Sequence, residues 1–291
     1  MSDPATTVII PAYKAATTLE RVMPALEPQI IGKPREAVIV DSTGGASGAR
    51  LQAAWPWARV MSIERRVLPG RARNLGVAIA HGSRLAFLDA DTIPDQDWLD
   101  ELERALSPGV EMVVGAVLNG TPDSAWGTVG YLLEFLDWAP KRTGALPHAV
   151  GCNLLLAKET FEQVGGFPDI YPGEDTVLSV PFAARGTLAF APGARVTHIN
   201  RVGCRAVLAH QMQLGASWVD VCARVSLPGA RLAKPRLAPL AAGGRLLAIA
   251  RLLRSDPPAG RLVLRHAPLL AAGIVAWSLG VAQYSRRRRR T

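Results

Sequence analysis

Acidic residues are almost missing from the last third of this sequence. Residues 201–291 contain 2 Asp or Glu against 16 Lys or Arg, a net charge of +14. Residues 1–200 contain 22 acidic and 17 basic residues, a net charge of −5. This asymmetry predicts that the C-terminal segment meets an anionic partner, either a membrane surface or a nucleic acid.

Cysteine and aromatic residues are also scarce. The three cysteines, Cys152, Cys204 and Cys222, have neither disulfide nor metal-ligand spacing, which argues against a disulfide scaffold and favours a reducing compartment. Aromatic residues make up 6% of the chain, and the C-terminal basic residues lie beside apolar stretches instead of alternating with aromatics. Nucleic acid is therefore the less favoured of the two partners.

The N-terminus lacks the features of a secretory signal. Residues 1–7 carry neither a basic region nor a long apolar run, so we expect no signal peptide, and we expect the first domain to stay in the cytosol. Hydrophobic residues make up 49% of the 291 residues, which is enough for a sizeable core and excludes global disorder.

Short apolar or β-branched runs alternate with amphipathic stretches along the first part of the chain. Strands are predicted at 7–13, 37–41, 59–63, 85–88 and 112–118, with helices at 17–26, 69–81 and 95–106. This alternation predicts a mostly parallel, doubly wound α/β sheet. Further along, strands are predicted at 150–157, 187–190 and 194–198, a short helix at 158–164, and another helix from residue 172.

The predicted strand at 85–88 ends abruptly in two carboxylates, Asp89 and Asp91, separated by Ala90. The carboxyl ends of strands are where open α/β sheets bind ligands. Two carboxylates there are hard oxygen ligands suited to Mg²⁺ or Mn²⁺, usually shared with substrate phosphates. For this motif taken alone, an Asp-rich turn that leads into a helix remains an equal alternative.

Four further blocks stand at the ends of predicted elements. They are Pro11-Ala12-Tyr13 after the first strand, Asp41 at the end of the second, Arg73-Asn74 within the glycine-flanked segment 70–76, and a block running from Asn153 through 165–167 to Gly173-Glu174-Asp175. Together with Asp89-Ala90-Asp91, these blocks make residues 1–200 resemble the family 2 glycosyltransferases, which have the nucleotide-sugar-binding GT-A fold. Each block is weak evidence alone, but five in this order and spacing are specific.

The resemblance implies a donor site built from the N-terminal blocks. Asp91, together with Asp89, would hold Mn²⁺ or Mg²⁺ across the two phosphates of a nucleotide-diphosphate sugar. The block with Arg73 and Asn74 would contact the nucleotide, with Arg73 as a fixed positive charge; the alternative for Arg73 is a solvated side chain on a helix face. Tyr13 would stack on the base and Asp41 would hydrogen-bond the base or ribose, beside Pro11 and Ala12.

The same resemblance makes Asp175 the general base that deprotonates the acceptor, with Glu174 positioning the acceptor or the base. An acidic helix cap is the alternative for both residues. Asn153 and Gly173 are acceptor-side candidates. His198 is a candidate third metal ligand, although a lone histidine is more often structural. A single in-line displacement assisted by Asp175 implies inversion at the sugar.

Three positions depart from the family pattern. Lys14 stands where the family usually has Asn, Ser42 stands where it usually has a second Asp, and Pro181 replaces a residue that is often basic. The first two lie at the nucleotide end, so they leave open whether the donor is UDP-linked or GDP-linked.

We divide the chain into a catalytic domain (1–200), an acceptor-side helical segment (201–235) and a membrane-associated helical tail (236–291). Gln211, Gln213 and Trp218 are candidate acceptor contacts in the second segment. In the tail, residues 267–284 carry no charge over 18 positions, just enough to cross a bilayer, and an Arg run follows at 286–290.

We expect this tail to hold the protein at the cytosolic face of a membrane. Residues 237–253 could pair with 267–284 in a spanning hairpin, but Arg245 lies near their middle. Interfacial helices are an alternative, and so is a helical pair packed on a soluble domain. An acceptor at that face could be a lipid or lipid-linked molecule.

Two other functions stay open at this point. A nucleotidyltransferase would need a Gly-rich, basic phosphate loop after the first strand, where this chain has Pro11-Ala12-Tyr13. A non-enzymatic protein that binds nucleotides or a membrane surface would show no turnover of a nucleotide sugar.

Overall fold

The computed structural model describes residues 4–142, 144–227, 229–255 and 257–288. These residues form two compact units. A sheet unit lies within Met1–Leu118 and Trp138–Ile199, and a helical unit lies within Asn119–Asp137 and Asn200–Thr291. Residues 119–137 therefore pack with the helices of the last third, although the sequence places them inside the predicted catalytic domain.

The sheet has eight strands among the described residues. They are β1 (Thr6–Ala12), β2 (Arg35–Asp41), β3 (Arg59–Ser62), β4 (Arg84–Leu88), β5 (Thr92–Pro94), β6 (Met112–Asn119), β7 (Asn153–Ala157) and β8 (Leu188–His198), in the order β3-β2-β1-β4-β7-β6-β8-β5. The helices are α1 (Ala16–Ile30), α2 (Ser47–Ala54), α3 (Pro69–Ile79), α4 (Trp98–Ala105), α5 (Ala125–Glu134), α6 (Lys158–Gln163), α7 (Glu174–Arg185), α8 (Cys204–Arg224), α9 (Ala238–Ser255), α10 (Pro257–Arg265) and α11 (Ala267–Arg288).

The first four strands run parallel, as the sequence predicts. Their apolar runs are buried: Val8, Ile9 and Ile10 of β1 are 0% exposed, as expected for strands covered on both faces. Gly76 lets α3 approach β1 closely, because a Cβ there would lie 2.6 Å from Cγ2 of Ile9.

The second half of the sheet is antiparallel, unlike the prediction of a mostly parallel sheet. β7 pairs antiparallel with β4 and β6, and β5 pairs antiparallel with β8. β8 is one 11-residue strand where two were predicted, because Pro192 and Gly193 interrupt its apolar pattern. β5, with three residues, is too short to give a periodic signal.

A buried side chain links three strands and a helix in this half. Asn153, 0% exposed, donates from Nδ2 to the carbonyls of Ala116 and Ala194, each over 2.9 Å, and its Oδ1 accepts from Nε1 of Trp98 over 2.8 Å. Because buried polar groups require partners, these bonds fix how β7, β6, β8 and α4 meet.

The helical unit contains α5 and α8 to α11. Ser124 caps α5, with its Oγ accepting from the Gly127 amide over 3.0 Å. α8 and α11 pack closely: a Cβ on Gly215 would lie 1.9 Å from the Trp277 carbonyl oxygen, and a Cβ on Gly280 would lie 2.0 Å from that of Met212. Small residues at these two points let the helix backbones touch.

One helix of the described residues is long and apolar enough to cross a membrane. It is the stretch Ala267–Tyr284 of α11, with a mean hydropathy of 1.4, and 39% of this stretch is buried inside the protein. Length and composition alone are weak evidence for a span, because the core helix of a soluble protein meets the same criteria.

Candidate active site

The two carboxylates after β4 lie at the carboxyl end of the strand, as predicted. The side chain of Asp89 is 30% exposed and that of Asp91 is 42% exposed. Pairing of β5 with β8 sets Thr92 opposite His198, and the Ile199 amide donates to the Asp91 carbonyl over 2.8 Å. As a result, Nε2 of His198 lies 3.6 Å from Oδ1 of Asp91.

These side chains fit a divalent cation that is also bound by a substrate. Within the ranges that the structure describes, no three His, Cys, Asp or Glu side chains are grouped so that they could hold a metal by themselves. Mg²⁺ and Mn²⁺ often take one or two protein carboxylates and complete their shell with phosphate oxygens. The partly exposed Asp91 carboxylate beside the His198 imidazole is such a partial donor set.

Arg73 is buried, not solvated, and connects the two acidic blocks. Its side chain is 3% exposed; Nη2 donates to Oδ1 of Asp89 over 2.5 Å and Nη1 donates to Oε1 of Glu174 over 2.8 Å. The guanidinium lies 5.2 Å from the centre of the Phe167 ring. Burial opposes its charge, but the carboxylates of Asp89, Glu174 and Asp175 outweigh this effect and raise the pKa of Arg73.

Glu174 is almost as deeply buried, with 5% of its side chain exposed. Burial and the neighbouring Asp175 carboxylate raise the pKa of Glu174 to about 7, although Arg73 acts in the opposite direction. Close packing around Gly70 keeps it in place, since a Cβ there would lie 3.0 Å from Cγ of Glu174. Its contacts make Glu174 a partner of Arg73 rather than a group open to an acceptor.

Asp175 is the second residue of α7, directly after Glu174, and is partly exposed. Its Oδ2 accepts from the Gly151 amide over 2.8 Å, and its Oδ1 accepts from the Thr176 amide over 2.7 Å. The N-cap residue Gly173 has φ +104°, a conformation that strongly favours glycine. Gly173 thus makes the turn that directs both acids.

Asn74 and Asn153 are held by the protein itself. Asn74 makes two bonds with the Phe167 backbone: Nδ2 donates to its carbonyl over 2.8 Å, and Oδ1 accepts from its amide over 3.0 Å. Asn153 is buried in the three bonds described above. Contact with nucleotide or acceptor would require either amide to leave these partners, so both roles stay predictions.

The nucleotide end predicted from the sequence is lined by Tyr13 and Asp41. Tyr13 is 39% exposed, with the guanidinium of Arg66 4.6 Å and Nζ of Lys14 5.4 Å from its ring centre. Asp41 is 2% exposed; its Oδ1 accepts from the Thr43 amide over 3.1 Å, whereas its buried Oδ2 has no hydrogen-bond partner among the described residues. A ring N–H of a nucleobase would supply the missing donor.

The predicted neighbours of Tyr13 are less open. Ala12 is 4% exposed and Ala90 is 7% exposed, so neither residue offers much surface to a ligand. Lys14 has φ +51°, and its amide donates to Oγ1 of Thr43 over 2.8 Å. This bond ties the loop after β1 to the loop after β2, where Lys14 and Ser42 depart from the family pattern.

Sequence reasoning missed two groups at the site. Arg66 precedes α3 and carries no motif, although a basic residue close to an exposed tyrosine is a possible cation–π partner. Nothing in the sequence indicates that the Gly151 amide holds Asp175, since every residue except proline has a backbone N–H. Cys152 behaves as expected of a buried hydrophobe: burial raises the pKa of its thiol well above the usual range.

Trp218 and the two glutamines lie on α8 in the helical unit. Trp218 packs on Trp277 with ring centres 5.1 Å apart. Gln211 donates from Nε2 to Oε1 of Glu134 over 3.1 Å, next to a contact of 3.1 Å between Nε2 of His210 and Oε2 of Glu134. Gln213 is exposed. Their roles with an acceptor stay predictions.

Solved structures with a similar fold include two that contain a nucleotide or nucleotide sugar together with Mn²⁺. One is a mannosyltransferase, PcManGT from Pyrobaculum calidifontis, in complex with GDP-Man and Mn²⁺: TM-score 0.67, 20% identity, covering 99% of this chain and 89% of that one. The other is GalNAc-T7 with UDP, GalNAc and Mn²⁺: TM-score 0.52, 18% identity, covering 69% and 45%. At these identities the likeness establishes the fold, and it confirms the predicted GT-A architecture.

Curated relatives match over part of their length. Glycosyltransferase AglE of Haloferax volcanii is 27% identical over 176 residues, which are 57% of this chain and 57% of the relative. Pre-mycofactocin glycosyltransferase of Mycobacterium tuberculosis is 27% identical over 165 residues, which are 54% and 35%. The chain therefore spans about a third to just over half of these relatives. The profile described as Glycosyl transferase family 2 matches residues 7–165, more than half of the chain, and the protein belongs to that family.

Proposed function

We propose that this protein is a metal-dependent, inverting glycosyltransferase that moves a sugar from a UDP- or GDP-linked donor to an acceptor hydroxyl at the cytosolic face of a membrane. The observation that carries the proposal is the ion-pair network in which Arg73 joins Asp89 to Glu174, directly beside Asp175. One buried cation thus connects the carboxylates expected for the leaving group with those expected for the acceptor.

The leaving-group half of the site consists of Asp91, Asp89 and His198. A Mn²⁺ or Mg²⁺ ion bound there would neutralise charge that develops on the departing diphosphate. Asp91 and His198 are the side chains suited to hold it, because Asp89 is already bonded to Arg73. Asp89 instead fits the hydroxyl groups of the sugar, which can donate to its carboxylate. The two similar structures named above contain Mn²⁺ with GDP-Man, or with UDP and GalNAc, which supports this choice of cation and donor.

The nucleoside would be held at Tyr13 and Asp41. The exposed Tyr13 ring offers a stacking surface, and the unpartnered Oδ2 of Asp41 can accept from a ring N–H. Uracil and guanine both carry a ring N–H on their pairing edge, whereas adenine and cytosine do not. UDP and GDP are therefore the donor nucleotides most compatible with this carboxylate.

Asp175 is the proposed general base, because it is partly exposed and Glu174 is buried against Arg73. The acceptor hydroxyl would pass its proton to Asp175 while its oxygen forms a bond to the anomeric carbon. The bond between that carbon and the diphosphate oxygen breaks in the same displacement, which inverts the configuration. The Gly151 amide, 2.8 Å from Oδ2, would hold the carboxylate in position throughout.

The direct test is turnover of UDP- and GDP-linked sugars by the purified protein with and without Mn²⁺. We expect donor consumption to require the metal, and Asp91→Asn to reduce it by about 100-fold or more. Asp97→Asn is the matched control, since Asp97 is an exposed acid beyond β5, a few residues further along the chain. Undiminished turnover by Asp91→Asn, or turnover after metal removal, would contradict the proposal.

A further inference from the structure

Large apolar side chains are exposed on three helices of the helical unit. We call this set the leucine face: Leu240 (60% exposed), Leu246 (53%) and Leu247 (62%) on α9, Leu264 (67%) on α10, and Val275 (58%) and Leu279 (48%) on α11. On α11 the exposed positions 271, 275 and 279 recur every four residues, so they share one side of the helix. Exposed apolar residues that share one side of a helix in this way mark a contact surface.

The opposite side of α11 is packed within the unit. Ile274, Trp277 and Val281 are 4%, 5% and 0% exposed. α11 therefore has two apolar sides: one belongs to the core of the helical unit, and the other carries Val275 and Leu279, which are about half exposed.

The neighbours of α11 argue against a crossing of the bilayer. Near the middle of the stretch 267–284, the guanidinium of Arg245 lies 4.9 Å from the Trp277 ring centre, and Gln211, which packs beside Gly273, donates to the Glu134 carboxylate. A span that carried these packed neighbours with it would take their charges into the hydrocarbon, where ionised groups are costly. A helix that lies in the interface keeps them outside the hydrocarbon.

Arg245 does not interrupt the leucine face. Its Nη2 donates to the Leu133 carbonyl over 2.6 Å, and its guanidinium lies 4.9 Å from the Trp277 ring centre. Its charge is thus turned into the unit, away from Leu240 and Leu247, which are exposed on the same helix. This removes the objection that the sequence raises against membrane contact by this segment.

Basic residues accompany the leucine face, and they point to an anionic occupant. Arg231, Lys234 and Arg236 precede α9, and Arg261 and Arg265 lie on α10; all five are exposed. The large apolar residues of the leucine face are leucine and valine, without the aromatics that stack on nucleic-acid bases. Exposed apolar side chains together with exposed basic residues on and beside the same helices are typical of helices that lie in an anionic membrane interface.

We propose that the helical unit docks on an anionic lipid bilayer through the leucine face, with α11 lying in the plane of the interface and not across it. This inference deepens the membrane location in the proposed function and rests on it, but it concerns a surface that takes no part in the chemistry. The Arg run at 286–290 adds charge at the end of α11 in the sequence.

Vesicle flotation with the full-length protein tests the docking. We expect binding to vesicles of phosphatidylcholine with phosphatidylglycerol, and about tenfold weaker binding to phosphatidylcholine alone or at high salt. Val275→Asp together with Leu279→Asp should weaken binding about tenfold or more. The matched control is Ile31→Asp with Val164→Asp, two apolar residues in the sheet unit that are 55% and 40% exposed. Equal binding by both double variants would overturn the proposal.

Labelling of the two ends of α11 separates an interfacial helix from a span. In inverted membrane vesicles that contain the protein, thiols introduced by Ala267→Cys and Gln283→Cys should both react with an impermeant maleimide from the cytosolic side, with Cys204 and Cys222 replaced by serine. Reaction of one end only after permeabilisation would overturn the in-plane arrangement. Reaction of both ends supports it.

Two measurements keep this inference distinct from the proposed function and from misfolding. Thermal unfolding of each variant shows whether it is folded, and Arg261→Ala with Arg265→Ala gives a milder change that should weaken binding to anionic vesicles alone. Calorimetry with UDP and GDP reports on the donor site. Vesicle binding without nucleotide binding would refute the proposed function and leave the docking surface standing, whereas the reverse result would refute the docking surface alone.

Discussion

Arg73 and Asp89 are joined by a hydrogen bond of 2.5 Å at the carboxyl end of β4, although Arg73 is almost completely buried. A buried guanidinium needs its full negative complement, which Asp89 and Glu174 provide together. Asp89 and Glu174 are therefore already paired with Arg73 before any substrate binds. In each acidic pair the other member, Asp91 or Asp175, is the more exposed carboxylate. Four predictions follow from this arrangement and from the packing of the helices.

Arg73→Ala should destabilise the protein by about 3–5 kcal/mol, because it leaves two carboxylates in a buried site without their cation. Urea unfolding of the two proteins at neutral pH measures the difference. Arg71→Ala on the same helix is the control, since Arg71 is exposed. A loss below about 1 kcal/mol, the value typical of a surface ion pair, would mean that the network contributes little.

Asp175→Asn should lower kcat by about 10²- to 10⁴-fold, the range for loss of a general base. Donor KM should change little, because the amide keeps the shape of the carboxyl group and its one oxygen can still accept from the Gly151 amide, although the bond from the Thr176 amide is lost. Steady-state kinetics with varied donor separates the two effects. Asp169→Asn, at an exposed acid near the same loop, should leave both constants unchanged; a matching loss in kcat there would discredit the assignment.

The contribution of Glu174 to the stability of the protein should fall as pH rises from about 4.5 towards 7. The pKa of Glu174 is raised from 4.5 to about 7 by burial and by Asp175, so the fold favours the protonated carboxyl. That contribution is complete below the unfolded pKa and is lost as pH passes the folded one, with a slope of at most about 1.4 kcal/mol per pH unit. Unfolding of Glu174→Gln across this range should lack that slope; identical profiles for the two proteins would refute the shift.

Two glycine substitutions in the helical unit should change the free energy of unfolding in opposite directions. Gly280→Ala should cost about 1–3 kcal/mol, because its Cβ would lie 2.0 Å from the Met212 carbonyl oxygen, which belongs to a helix backbone. Gly243→Ala on α9 has nothing within 4 Å and should gain about 0.5–1 kcal/mol from helix propensity. Thermal unfolding gives both values. A stable Gly280→Ala would show that α8 and α11 separate easily.

Local sequence was enough to predict the parallel half of the sheet and the ends of the strands that carry Asp41 and Asp89. The antiparallel half could not be predicted, because the direction of β7 depends on its pairing with β4, more than 60 residues earlier in the chain, and with β6, not on its own pattern. α5 was not predicted at all: its residues carry no motif.

The residues of the candidate site were likewise predictable from sequence only in part. The acidic motifs identified Asp89, Asp91, Glu174 and Asp175, because a carboxylate can be proposed as a metal ligand or a general base from its residue type alone. The burial of Arg73 could not be read from its neighbours in sequence, since its partner Glu174 is 101 residues away. The bonds of Asn74 and Asn153 to backbone groups could not be predicted from the sequence either, because every residue has a carbonyl and nearly every residue has an amide N–H.

The composition of the helical unit has a consequence for how the chain can be divided. α5 comes from the middle of the sequence, yet Glu134 at its end bonds His210 and Gln211, and Leu133 meets Gly273 and Arg245. A protein cut after residue 200 would keep α5 but lose every one of these partners. The C-terminal third is thus no detachable anchor: a shortened enzyme would expose an apolar helix and a buried acid, and would be prone to aggregate even with its sheet intact.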